Sequence, residues 1–284
     1  MASLAVGFMP NKTTNQARAV RGVAGTLTKA RLIMMRKFLF TALVAILGFT
    51  FTQLARAADD PKAIIDKGIQ ALGGEEKLSK VKAYSWKSKG KIKIGENESE
   101  FTVEGIVQGL DHLHTKFSGN FMDNKIEAVA VLAGDKGWRT FMGMTMDLEG
   151  DMLANEKRNL YLQVLPATLV PLKDKNFKLE AVKENKVGDK PAVGVKATGP
   201  DGKDFTIYFD KDSGLPVKVV AKVTGFMGDE FTQESILSGY KEFDGIKKST
   251  KSEVKREGEK FLDAEVTEFK VLDNVDPKTF AKPE

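Results

Sequence analysis

From Val81 onward, apolar residues recur at period two. Tyr84 and Trp86 begin the series, followed by Ile92 and Ile94, Phe101 and Val103, Leu113, Thr115 and Phe117, then Ile126, Ala128 and Ala130. Period two is the spacing of a half-buried strand, and Gly95, Gly109, Gly119 and Gly134 are placed to break the runs. After an interruption around residues 150–171, strand-like runs resume over 177–182, 192–197, 205–209, 215–223, 231–240, 246–254 and 261–272. They follow one another at hairpin spacing with no helical stretch between them. Parallel pairing needs long crossovers, so this spacing excludes a βαβ arrangement and requires an antiparallel meander. The polar run Lys247-Lys248-Ser249-Thr250-Lys251-Ser252-Glu253 reads as a strand with one or both faces in water.

Only two helices fit. Asp59 or Asp60 can cap the first, with Pro61 at its first position, and Ile64, Ile65, Gly68, Ile69 and Leu72 fall on one face before Gly73-Gly74 ends it. Glu75-Glu76-Lys77 reads as a solvated helix start. Asp151 can cap the second, which carries Leu153, Leu160, Tyr161, Val164 and Leu165 until Pro166 stops it. A sheet of about ten long strands with one apolar face must curl, and the helices are the elements available to cover its concave side. The expected class is mainly β with helices (α+β), a curved, half-open antiparallel barrel with a helical lid.

Charge divides the chain unequally. Residues 1–57 hold eight of the 44 basic side chains and none of the 39 acidic ones, so the remainder is near −3 rather than the overall +5. That excludes the nucleic-acid partner a basic chain would suggest. Within the basic segment, Arg36-Lys37 precede an uncharged apolar run from Phe38 to Phe51, and Ala55-Arg56-Ala57 follows. This is a secretory signal peptide, with cleavage expected after Ala57. Its apolar core is too short for a permanent span, so no membrane segment is expected after cleavage. Residues 1–33 read as an upstream start ahead of a true one at Met34 or Met35, although an Arg-rich leader without acids also fits an organellar transit peptide. The mature chain, 58–284, reads as one domain of a periplasmic or secreted protein.

Catalytic and cofactor signals are missing. There is no cysteine, and no G-x-S-x-G elbow, Walker loop or H-E-x-x-H, so neither an enzyme nor a cofactor is expected. His112 and His114 share a strand face without a third ligand at diagnostic spacing. Asp210, Asp212 and Gly214 imitate the start of a calcium loop but lack its later bidentate acid, which leaves a hairpin turn.

Three segments carry a family likeness. Tyr208-Phe209-Asp210-Lys211-Asp212-Ser213-Gly214-Leu215-Pro216-Val217 resembles the strand–turn–strand hairpin of the LolA/LolB-like lipoprotein-carrier superfamily. Gly134-Asp135-Lys136-Gly137-Trp138 is similar to its hairpin into a tryptophan strand, and Asn274-Val275-Asp276-Pro277 with Phe280 and Pro283 to its terminal strand and closing turn. The likeness is to the uncharacterised exported members. It implies a half-barrel that takes acyl chains or another apolar ligand beneath a helical lid, with transport of lipid or lipoprotein in the envelope as the role and an envelope protein as a conceivable partner.

Methionines at 142, 144 and 146, followed by Leu148, alternate as if on one strand face, and flexible thioethers suit a cavity of variable contents. The same pattern also suits plain core, and soft thioethers could hold copper(I). On the binding reading, Met142, Met144, Met146, Leu148 and Trp138 form the cavity wall, and Leu160, Tyr161 and Val164 the lid. The alternative is an envelope interaction or sensor domain with a filled core and no ligand.

Overall fold

The computed structural model describes residues 60–121, 124–225 and 228–283. The expected signal segment and its Ala55-Arg56-Ala57 motif lie outside the described residues. Helix α1 (Pro61–Leu72) starts where Asp60 accepts the Lys62 N–H at 3.1 Å, and its buried face is the expected set of Ile64, Ile65, Gly68, Ile69 and Leu72. A short α2 (Glu75–Lys80) follows, with Glu75 and Glu76 in its first turn, where they complement the helix dipole.

Six strands come next: β1 (Ala83–Ile94), β2 (Asn97–Gln108), β3 (His112–Phe121), β4 (Asn124–Ala133), β5 (Lys136–Phe141) and β6 (Met144–Asp147). Helix α3 (Gly150–Thr168) and a 3-10 turn at Val170–Lys173 then lead into β7 (Lys178–Val187), β8 (Lys190–Thr198), β9 (Asp204–Asp210), β10 (Pro216–Thr224), β11 (Glu230–Phe243), β12 (Ile246–Arg256) and β13 (Glu259–Leu272). A last 3-10 turn occupies Pro277–Phe280.

All thirteen strands belong to one antiparallel sheet in the order 6-5-4-3-2-1-13-12-11-10-9-8-7. The sheet is therefore two meanders joined along β1 and β13. Its edges, β6 and β7, do not pair with each other, and α3 is the connection between them. That is the curved, open, antiparallel half-barrel with helices that the periodicity requires.

Three local details differ from expectation. Gly119 does not end a strand, because β3 runs through it with the Phe121 ring lying over it. Pro166 does not end α3; the helix continues to Thr168 and stops at Leu169, in the left-handed region at φ 61°. The cap of α3 is at Glu149 and makes no side-chain hydrogen bond, so Asp151 lies inside the first turn instead. The sheet has thirteen strands rather than about ten, among them the four-residue β6 within the methionine segment.

The core is densest where the helices meet β9 and β10, and it continues across the sheet through Trp86, Val107, Leu113 and Leu132. Phe205, Ile207 and Phe209 of β9, with Val219 and Val223 of β10, meet Ile65 and Ile69 of α1 and Leu160 and Leu165 of α3, all nearly inaccessible to water. Helix α1 reaches this surface because its Gly68 allows close approach: a Cβ there would lie 2.7 Å from Leu169 and 2.8 Å from Phe209. Burial of this surface, at about 25 cal/mol per Å², is the main stabilising term.

Candidate functional site: a groove beneath the long helix

A groove runs along the concave side beneath α3. Pairing register fixes which residues point inward, since directly opposed residues share a face. Along β1 the inward set is Tyr84, Trp86, Ser88 and Gly90, opposed on β2 by Val107, Gly105, Val103 and Phe101. On β12 the inward set is Ile246, Lys248, Thr250, Ser252 and Val254, of which Ser252 and Val254 pair with Ala264 and Leu262 of β13. The polar β12 therefore has one face in water, with Lys247 and Lys251 exposed, while its inner face lies on the groove. Its apolar ends, Ile246 and Val254, bracketing polar residues at period two were the signal for this.

Three connected spaces follow this inward row. A cavity of about 560 Å³ lies between α3 and strands β1–β3 and β10–β13, walled by Trp86, Val103, Phe117, Leu237 and Leu262 and roofed by Asn159, Leu162 and Gln163. Toward α2 it adjoins a smaller cavity of about 290 Å³, with Lys248 and Ala167 common to both. At the other end it shares Phe101, Ser252 and Ala264 with a cleft of about 840 Å³ rimmed by Lys89, Lys91, Glu100 and Asp263. Trp86 can lie flat on the sheet because its opposite residue is Gly105; the indole fills the volume a Cβ would take. Phe117 stacks on Phe101 at 5.6 Å and on Phe121 at 6.1 Å, forming an aromatic row toward the cleft.

Most residues expected to line the site stand elsewhere. Met142 is not on a strand; with Gly143 it makes a two-residue hairpin turn, both at positive φ (49° and 79°). Met144 and Met146 do face the α3 side, as partners of Phe141 and Arg139, but at the sheet edge, and the three methionines are 66%, 68% and 45% exposed. Leu148, past the end of β6, is 3% exposed and packs near Gly137 and Leu132. The four do not form one wall, because the turn breaks their alternation. Trp138 points to the opposite face from Arg139. There its indole bonds to Asp147, whose carboxylate Lys282 holds at 2.9 Å, beneath the C-terminal segment. On α3, Leu160 is in the filled core and Tyr161 packs on Phe177, while Val164 borders the smaller cavity. Asn159, Leu162 and Gln163 form the roof instead, one step round the helix.

His112 sits 2.7 Å from Asp111 and edge-on to Phe280, at 5.1 Å. Among the described residues no group of three or more His, Asp or Glu is placed to hold a metal ion. Asp210 makes a turn, accepting the Ser213 N–H and hydroxyl at 2.7 Å each. The Ser213 N–H is the main reason its carboxyl lies below the usual range.

Two polar groups in the groove, the buried Tyr84 hydroxyl and the partly buried Lys248 ammonium, have no hydrogen-bond or ion-pair partner among the described residues. The Tyr84 hydroxyl makes no hydrogen bond, and burial pushes its pKa well above the ordinary value. The Lys248 ammonium lies 5.3 Å from the ring centres of both Tyr84 and Phe269, in no ion pair, and burial lowers its pKa to about 8. The other charged groups lining the two cavities are Lys82, Glu156, Lys247, Lys251 and Arg256. Glu156, the one acid among them, is held by Arg139 at 2.6 Å.

Because the folded pKa of Lys248 lies below its ordinary 10.5, the unfolded chain binds the extra proton between the two values, and stability from this group rises with pH from about 8 to about 10.5. Below about 8 the full penalty of burying a charge applies. Lys248→Met is expected to raise stability by about 1–3 kcal/mol at neutral pH. Urea denaturation of both forms at several pH values should show this advantage shrinking above about pH 8.

An open antiparallel half-barrel, with one long helix along its concavity and an apolar groove beneath that helix, defines a LolA-like fold. A LolA superfamily protein from Nitrosomonas europaea has the same architecture, with a TM-score of 0.52, 10% identity, and 78% of this chain and 97% of that one covered. A DUF1329 family protein from Desulfovibrio piger gives 0.51 at 12% identity, covering 78% and 98%. No protein-family model matches the sequence, and no curated protein matches it. Among the described residues no helix is long and apolar enough to cross a membrane.

Proposed function

We propose that this is an exported protein of the cell envelope that carries a lipid or another acyl-bearing ligand in the groove beneath α3, without catalysing a reaction. The observation that carries the reading is the space left on the concave face. The core packed by α1 and α3 continues beneath the groove through Trp86, Val107 and Leu113, yet the concave face keeps about 560 Å³ of volume beside Trp86, Val103 and Phe117. A groove that stays open beside a fully packed core is what a ligand site requires. The methionines at the sheet edge are not needed for it.

The test is an organic extract of the full chain, expressed in a secretory host and purified folded, analysed by mass spectrometry. Lipid at about one equivalent is expected. Val103→Asp, which places an unpaired carboxylate in the apolar wall, should abolish it while the protein stays folded. Folded wild type that carries no lipid and binds no apolar fluorescent probe would overturn the reading.

A further inference from the structure

Lys248 and Tyr84 are the two groups in the groove that the carriage of a neutral chain leaves unused. Both border the smaller cavity, and Lys248 also borders the larger one, so they meet at the junction of the two spaces. Resting on the reading above, we infer that the groove takes a single-chain amphiphile with a carboxylate head. The head sits against the Lys248 ammonium and accepts a hydrogen bond from the Tyr84 hydroxyl, and the chain runs past Trp86 and Val103 toward Phe117.

Four observations converge on this. Tyr84 is 6% exposed and its hydroxyl has no partner among the described residues, a costly state unless a ligand supplies an acceptor. Lys248 has two aromatic faces but no counter-ion among the described residues; the rings offset only part of its desolvation. The remaining charges lining the two cavities that Lys248 borders are basic except for Glu156, which Arg139 already engages, so these cavities have cations to offer and no free acid to repel an anion. Two donors from two side chains match a carboxylate, which has two acceptor oxygens. From Tyr84 to Gly90 the inward row of β1 covers about 20 Å at strand rise, a length suited to a long acyl chain.

The experiment compares cis-parinaric acid with its methyl ester by fluorescence titration of delipidated full-length protein at neutral pH. The acid is expected to bind about 10- to 100-fold more tightly, since only it can pair with the ammonium. In Lys248→Met the acid should fall to the affinity of the ester, with ester binding unchanged, and Lys248→Arg should keep the preference. Tyr84→Phe should weaken the acid alone by about threefold to tenfold. Equal binding of acid and ester by the wild type, or a preference that survives Lys248→Met, overturns the carboxylate assignment and leaves the apolar carrier standing. Failure to bind either probe overturns both.

Discussion

Replacing Arg158 with alanine is expected to lower the unfolding free energy by about 2–4 kcal/mol, read as a lower urea midpoint at unchanged slope. Arg158 projects from α3, and its side chain is 2% exposed. One terminal nitrogen donates to the Lys203 carbonyl at 3.2 Å and to Asp201 at 3.4 Å, while the other donates to the Asp204 carbonyl. The guanidinium also lies 5.4 Å over the Phe205 ring. Alanine leaves two carbonyls without this donor and opens a gap above Phe205. Lysine is a poor replacement, because one ammonium cannot reach three acceptors arranged for a planar fork. Asp201→Asn provides the control. Its partly exposed carboxylate is one acceptor among three, so that variant should lose less than about 1 kcal/mol.

The size of the Arg158 effect bears on how a ligand would reach the groove. Besides Arg158, the first half of α3 is tied by Glu156 to Arg139 of β5 at 2.6 Å and by Asn155 to the Thr224 carbonyl of β10 at 3.2 Å. These contacts reach β5, beside one edge of the sheet, and β10, three strands in from the other, so this half of the helix acts as a fixed strap and not a swinging lid. The side that is not tied is the cleft lined by Gly90, Gly119 and Ala264, where small residues leave the inner face bare. On the proposed function, the chain would thread in from that cleft, past the Phe101–Phe117 stack, while α3 stays in place.

The strands after residue 177 were legible because short strand-like runs follow one another at hairpin spacing with no helical stretch between them, and the first helix because its cap, proline and apolar face agree. The groove was not legible from hydropathy. Its wall includes Lys248, Thr250 and Ser252, which score as solvent-facing, and their inward direction follows only from register with Ala264 and Leu262 across β12 and β13. The methionine segment misled for a related reason. Alternation over 142–148 imitates a strand, but Met142-Gly143 is a turn whose backbone reverses the chain. Glycine at the second turn position was the signal available, and it competed with a strong apolar pattern. Trp138 was misplaced by one step of alternation, since its neighbours Gly137 and Arg139 are the residues that face α3.

Phe209→Ala and Phe117→Ala should behave oppositely, which makes the pair a measure of how the concave face is divided. Phe209 is 1% exposed and wedged against Gly68 of α1, so its truncation leaves a cavity that two helices and a sheet cannot collapse. The expected loss is about 3–5 kcal/mol, with little effect on probe affinity in the molecules that remain folded. Phe117 stacks on Phe101 and Phe121 but keeps part of its ring in the groove, so alanine there should cost about 1 kcal/mol while weakening an apolar probe about tenfold. Chemical denaturation and probe titration of the two variants give four numbers. If Phe117→Ala proves as destabilising as Phe209→Ala and leaves probe binding untouched, the inner face is a filled core from edge to edge, and the chain is better understood as an interaction domain working through its outer strands. The opposite partition, stability at Phe209 and binding at Phe117, is the behaviour expected of a half-barrel whose core is packed by α1 and α3 while the Phe101–Phe117 end of its inner face takes cargo.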